Sequence, residues 1–230
     1  MVRLARIVVP AVPHHVTQRG NRWQTVFFGD DDYRCYLALL SEHARSAGVA
    51  TWAWCLMPNH VHLVLVPPTP DALRRALSEA HRRYSRMVNF RQGWRGYLWQ
   101  GRFASCPLDE GHALAAARYV ELNPVRARLV ARAADWPWSS ARAHLTGHSD
   151  GLTQIGALGI PPEDWPDFLA EGVDDAALQA MRRGERTGRP LGDTDFVARL
   201  EAATGRPLAP RKRGPKPRCE HDDGDGGSLV

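Results

Sequence analysis

Two histidines one residue apart, His60 and His62, lie in the run Pro58-Asn59-His60-Val61-His62-Leu63-Val64-Leu65-Val66. From His60 onward the run is β-branched and aliphatic, with no glycine or proline before Pro67, which suits a buried strand better than a helix. Side chains on a strand alternate, so the two imidazoles share one face while Val61 and Leu63 turn to the core on the other. Neighbouring imidazoles on a rigid strand make half of a divalent-metal site. Taken alone, the pair reads equally as two ordinary histidines satisfied by neighbours, because the chain carries ten histidines. It gains meaning only beside a further ligand, a nucleophile and a means of holding phosphate.

Tyr119 and Asn123 supply the first two. They stand four apart and share one helical face if helical geometry persists to Asn123, a geometry that Pro124 disfavours there. A metal held by His60, His62 and Asn123 would keep open positions for phosphate oxygens and polarise a scissile phosphate. The Tyr119 phenolate would then attack phosphorus, giving a phosphotyrosine and a free 3′-hydroxyl. Reversal with a different 3′-hydroxyl would rejoin strands without ATP. The plainer readings are a packed helical tyrosine and an asparagine that merely ends a helix. Tyr36, Tyr84 and Tyr97 have no amide four residues on. His14 and His15 could approach the metal pair but read as ordinary strand and surface residues. Glu121 points to another helical face, toward solvent, and Asn59 reads as a turn cap.

The elements that must position these groups follow from periodicity and punctuation. A short strand, His15 to Gln18, closes on Gly20-Asn21, with Arg19 and Arg22 flanking the turn and able to touch phosphate. Asp30-Asp31-Asp32 open a helix with apolar Tyr36, Leu39 and Leu40, ended by Gly48. Ala50–Met57 is a strand with Trp52 and Trp54 on one face, and Met57-Pro58-Asn59 turns it back into the histidine strand as an antiparallel hairpin. Asp71 caps a helix over 71–90, with Leu73, Leu77, Ala80, Tyr84 and Val88 on one face. Arg74, Arg75, Arg82, Arg83 and Arg86 are opposed on its polar side only by Glu79. Such a stripe is a solvated face or a nucleic-acid contact.

Residues 91–106 interleave Trp94, Arg95, Tyr97, Trp99, Gln100, Arg102 and Phe103, a mixture that can stack bases while pairing phosphates, with Trp99 and Phe103 expected in the core. A strand from Phe103 to Leu108, a helix from His112 to Leu122 and a second short helix from Val125 to Arg132, carrying Arg126, complete the pattern. A serine-capped helix then runs to His144. The order strand, helix, strand, strand, helix, strand, helix predicts an α+β fold: a ferredoxin-like antiparallel sheet with helices on one face.

This domain is expected over residues 1–147. Residues 148–205 read as a linker and small helical appendage, and 206–230 as a flexible tail, first basic and then acidic. In the tail Arg211, Lys212 and Arg213 await a polyanion, and Arg213-Gly214-Pro215 is similar to part of an AT-hook arm.

A chain of 230 residues with 43% hydrophobic residues can bury a full core. No apolar run is long enough for a membrane span, no signal peptide is read at the N-terminus, and the four cysteines lack CxxC spacing, so a cytoplasmic, nucleoid-associated protein is expected. The net charge of +5 points to a polyanionic partner. Of 30 basic residues only Lys212 and Lys216 are lysines, which suits bidentate phosphate contacts but also follows from arginine-favouring codons.

Four segments in order, HVTQRGN, MPNHVHLVLV, WQGRF and YVELNPVRARLV, resemble the single-tyrosine HUH transposases, and most nearly the REP-associated tyrosine transposases. The resemblance spans about residues 10 to 145. It implies a ferredoxin-like HUH nuclease fold, Mg²⁺ or Mn²⁺, and single-stranded DNA with a hairpin (a palindromic repeat) near the cut. It further implies His60 and His62 as metal ligands, Tyr119 as nucleophile and Asn123 as third ligand, where many relatives in the wider superfamily carry glutamine. Dimeric relatives exchange the tyrosine helix and REP-associated ones are monomeric, so a monomer is favoured over a homodimer. The function expected is a single-stranded DNA endonuclease and strand transferase. A non-catalytic nucleic-acid-binding ferredoxin-like module is the alternative, although no RNP-like aromatic strand pattern is present. A hydrolase of small phosphoesters is a third reading, one that would need no arginine stripe.

Overall fold

β1 (His14–Arg19) forms the middle of a four-stranded antiparallel sheet, between β3 (His60–Val66) and β4 (Ala104–Pro107), with β2 (Ala50–Met57) outside β3. The order β2-β3-β1-β4 is that of the ferredoxin-like arrangement, and the fold is α+β as expected. The computed structural model describes residues 6–209. Arg211, Lys212, Arg213 and the AT-hook-like segment lie outside the described residues.

α1 (Asp30–Ala47) and α2 (Ala72–Gln92) pack together on one face of the sheet. Tyr36, Leu40, Leu73, Leu77, Tyr84 and Val88 meet Val16, Val61, Leu63 and Leu65 there, so the apolar faces read from spacing are the buried ones. Trp99 and Phe103 are buried against the same core. The three aspartates sit in the first turn of α1, and Gly48 closes it at φ 68°, a left-handed position that suits glycine. Asp71 precedes α2 but its side chain accepts from Thr69 Oγ1 and caps nothing.

The pairing of β2 with β3 skips a residue between Thr51 and Ala53. Trp52 is the extra residue of this bulge, so Trp54 enters the α1–α2 core while Trp52 packs toward the opposite side. The strict alternation that would put both tryptophans on one face fails because a bulge resets the pleat.

That opposite face carries His15, His60 and His62. It is covered by α3 (Glu110–Glu121), whose N-cap Asp109 accepts from His112 N, and by α7 (Asp175–Thr187). α3 stops at Glu121, and Asn123 is the first residue of α4 (Asn123–Arg126), which ends before Arg128 at φ 57° and so falls short of the helix expected to Arg132. α5 (Ala141–Thr146) and α6 (Trp165–Ala170) follow. Glu121 is fully buried where solvent was expected. Its carboxylate accepts from Ser140 Oγ (2.5 Å) and Trp165 Nε1 (2.8 Å) and pairs with His144 Nδ1 (2.6 Å). Ser140 is thereby spent on Glu121 and on the Trp54 backbone, and makes no side-chain cap on α5.

Residues beyond Gly147 fold back onto this frame. α7 contacts β4, α3 and β1, and α8 (Thr194–Thr204) closes a small cluster of Phe196, Leu200, Ile7, Val9 and Leu208. A Cβ on Gly184 would stand 2.7 Å from Cys106 Sγ and 3.1 Å from Leu191 Cδ1, so the close seat of α7 on β4 requires glycine there. No helix among the described residues is long and apolar enough to cross a membrane.

Candidate metal and nucleophile site

The register of β1 and β3 sets three imidazoles together. Thr17 pairs with His62 and Arg19 with His60, which puts His15 on the same face one step along the neighbouring strand. His15 and His62 stack at 5.2 Å between centroids, and His15 Nε2 lies 3.0 Å from His62 Nδ1, one nitrogen donating to the other. His60 stands edge-on to His62 at 4.9 Å. Its Nδ1 is 2.6 Å from Asn59 Oδ1, while Asn59 Nδ2 donates to Trp23 O. Asn59 therefore holds His60 as the Nδ1–H tautomer and leaves Nε2 with a lone pair, more than the turn cap read from sequence. His14 faces the other way, into bonds with Val9 N and Val12 O.

Burial keeps these rings neutral. It lowers His15 to about 4 and, with Arg19, His60 to about 3. His62 lies well below its ordinary value, by burial first and then by His60 and His15. Neutral imidazole is the metal-binding form.

Tyr119, near the end of α3, places its ring 5.5 Å from His62 and 5.8 Å from His15, edge-on to both. Its hydroxyl donates to Glu185 Oε1 at 3.3 Å. The Arg126 guanidinium lies over the ring at 4.2 Å and also donates to Tyr119 O. Burial and then Glu185 raise the phenol pKa, against the pull of Arg126. Asn123 is buried close by in sequence, but no hydrogen bond joins its amide to His60, His62 or Tyr119, and its Nδ2 has no partner.

Glu185 and His15 are the residues that the sequence undervalued. Ligand atoms of His15, His62 and Glu185 all lie within 4.8 Å of one another. His62 Nδ1 is 3.8 Å from Glu185 Oε1, yet a neutral His62 makes this a contact and not an ion pair. Burial raises the Glu185 carboxyl, with Arg19, Arg126 and Arg182 pulling it back. Buried neutral imidazoles beside a carboxylate suit a divalent cation. His15 was seen as able to approach the pair but read as an ordinary strand residue, and Glu185 sits in an arginine-rich helix with no local signal.

The arginines divide by face. Arg19 and Arg102 line an open cleft of about 450 Å³ beside Glu185, together with Arg182 and Arg186 of α7, which sequence reasoning missed. Trp23 forms its rim, 64% exposed beneath the Arg19 guanidinium. Arg22, at φ 52°, is exposed on the same turn, and Arg95 is exposed on the loop before β4. Arg74, Arg75, Arg82, Arg83 and Arg86 lie on α2, across the sheet from the histidines. Four of them face acids: Arg74 and Arg75 meet Asp71, Arg82 meets Glu79 and Arg83 meets Glu42.

With that geometry in place, residues 9–123 match the family described as "Transposase IS200 like", a span that includes His15, both strand histidines, Tyr119 and Asn123. The chain belongs to the IS200-like transposase family. This transposase is 31% identical over 139 residues to a Haemophilus influenzae protein described as a REP-associated tyrosine transposase, covering 53% of this chain and 71% of that one. It is 25% identical over 114 residues to the REP-associated tyrosine transposase of Escherichia coli K12, covering 49% of this chain and 60% of the relative. Its fold is similar to the solved structure of a REP-associated tyrosine transposase bound to a REP hairpin, with a TM-score of 0.52, 20% identity, and coverage of 66% of this chain and 90% of the other.

Proposed function

We propose that this transposase cuts and rejoins single-stranded DNA beside a hairpin, with Tyr119 as nucleophile. The observation that carries the reading is the Tyr119 ring edge-on to two buried, neutral imidazoles at 5.5 and 5.8 Å. His60 and His62 are the residues that would hold Mg²⁺ or Mn²⁺. When bound, such an ion supplies Lewis-acid polarisation of the scissile phosphate and offsets charge in the transition state. The phenol oxygen of Tyr119 bonds to phosphorus as the bond to the 3′ oxygen breaks. DNA is left as a 5′-phosphotyrosine, and the phenol proton ends formally on the freed 3′-hydroxyl. Another 3′-hydroxyl reverses the step and joins strands.

Arg126 steadies the ring and favours its ionised form, while Arg19 and Arg102 take phosphates of the strand entering the cleft and the exposed Trp23 offers a base a stacking surface. The hairpin partner is carried over from the relative solved with a REP hairpin. Tyr119 meets histidines of its own chain, which supports a monomer as the working unit. Cytoplasmic action at the nucleoid follows from a DNA substrate. The test is incubation with end-labelled hairpin DNA and Mn²⁺. The wild-type chain gives a protease-sensitive covalent adduct and Tyr119→Phe gives none. An undiminished adduct in Tyr119→Phe would refute the assignment.

A further inference from the structure

We infer that Glu185 and His15, in place of Asn123, complete the divalent-cation site that begins at His62. The inference rests on the metal-dependent reading proposed above and concerns which residues make the site.

Three observations carry it. The first is spacing. Two donors bound to one ion at ~2.1 Å with a right angle between them stand ~3 Å apart. His15 Nε2 and His62 Nδ1 are 3.0 Å apart, Glu185 Oε1 is 3.8 Å from the second of them, and all three donors fit within 4.8 Å. The second is charge. Glu185 is largely enclosed, and no arginine among the described residues comes within salt-bridge distance of its carboxylate. Its Oε1 contacts the His62 ring and the Tyr119 hydroxyl, while Arg19, Arg182 and Arg186 line the cleft beyond. A largely enclosed carboxylate gains from a close cation, and a divalent ion between His15 Nε2 and His62 Nδ1 would supply one once the hydrogen that joins these nitrogens moves to a far ring nitrogen. The third concerns Asn123. Its Nδ2 is a buried donor without a partner, so no bond through that nitrogen aims the amide oxygen at the histidines. Asn123 begins a separate short helix, so its side chain does not inherit the direction that continued α3 geometry would give it.

The oxygen nearest His62, Oε1, is also the one that accepts from Tyr119, so an ion held there turns that hydroxyl to the second oxygen or releases it. His60, fixed through Asn59, stands edge-on to His62 at 4.9 Å. The site would then be shared by β1, β3 and α7, and the helix beyond residue 174 would be a working part of the centre.

Calorimetric titration of the full chain with Mn²⁺, backed by loss of the free-ion EPR signal, tests this without reference to cleavage. Glu185→Gln weakens Mn²⁺ binding by about tenfold or more, His15→Ala does likewise, and Asn123→Ala stays within about twofold of wild type. Glu185→Asp, which keeps the charge on a shorter arm, falls between wild type and Glu185→Gln. Circular dichroism melts with and without Mn²⁺ separate loss of binding from loss of fold, since a folded variant lacking a ligand loses the Mn²⁺-induced rise in Tm. The opposite ranking, with Asn123→Ala impaired and Glu185→Gln unchanged, overturns the ligand assignment alone. A wild-type chain that binds no Mn²⁺ overturns both this assignment and the metal-dependent reading.

Discussion

The Tyr119 hydroxyl donates to Glu185 Oε1 at 3.3 Å across 66 positions of sequence. The bond joins the last helix that lies wholly within the family match to a helix well beyond it. In the metal-free protein, Glu185 is the second cause, after burial, of the raised phenol pKa. Glu185→Gln therefore lowers the Tyr119 pKa, while burial still holds it above the ordinary value of 10.0. NMR of isotope-labelled tyrosine through a pH titration reads this directly, and an unchanged or raised value would break the assignment.

Arg126 is exposed and reaches back over the Tyr119 ring. Arg126→Ala removes a contact of about 1 kcal/mol, so adduct formation slows by about fivefold while the melting temperature hardly moves. Single-turnover cleavage beside a thermal melt checks both halves. An equal loss in rate for Arg86→Ala, on the far side of the sheet, would argue that Arg126 acts only through bulk charge.

Gly184→Ala puts a methyl group 2.7 Å from Cys106 Sγ, in a helix seated directly on β4. Overpacking of this kind costs about 1–3 kcal/mol, relieved by α7 moving outward. The expected result is a lower Tm together with weaker Mn²⁺ binding, because Glu185 is the next residue. A lower Tm with full Mn²⁺ affinity would separate the helix from the site.

Glu121 is fully buried among Ser140, His144 and Trp165. Glu121→Ala strands three buried polar partners and costs about 3–5 kcal/mol, at roughly 1–3 kcal/mol for each group left unsatisfied. Urea denaturation measures it, and a change under about 1 kcal/mol would show the network to be relaxed into water.

His81 is buried against the Tyr36 hydroxyl at 2.9 Å, and burial lowers its pKa from 6.5 to about 3. The unfolded chain takes up its proton near pH 6.5 and the folded chain does not. Stability is thus complete above that pH and falls as the pH drops from 6.5 toward 3, by about 1.4 kcal/mol per pH unit for this residue. His81→Gln, which can still bond to Tyr36, flattens the dependence of stability on pH in that window. An unchanged slope would mean that His81 is already solvated.

Much of the centre was legible because it is local. Alternation on β3 fixes that His60 and His62 share a face, and no tertiary contact is needed to know it. The hairpin bounds at Met57 and His60, the α2 apolar face and the glycine stop after α1 follow from the same short-range rules. The bulge at Trp52 was not legible, because an extra residue in a ladder answers to the partner strand and leaves no mark in composition. Glu121 looked like a solvent residue for a related reason: its partners Ser140, His144 and Trp165 come from later turns and helices.

By itself, then, the sequence determined the order of strands and helices, the shared face of His60 and His62, and a tyrosine with an amide four residues on, since each depends on the period of one element. Only the tertiary structure decided that His15 stacks on His62, that Glu185 reaches Tyr119, and that the α2 arginines lie across the sheet from the histidines while Arg182 and Arg186 flank the cleft. Those placements depend on strand register and on how closely α7 can approach β4, which the fit of side chains such as the missing one at Gly184 sets across the whole chain.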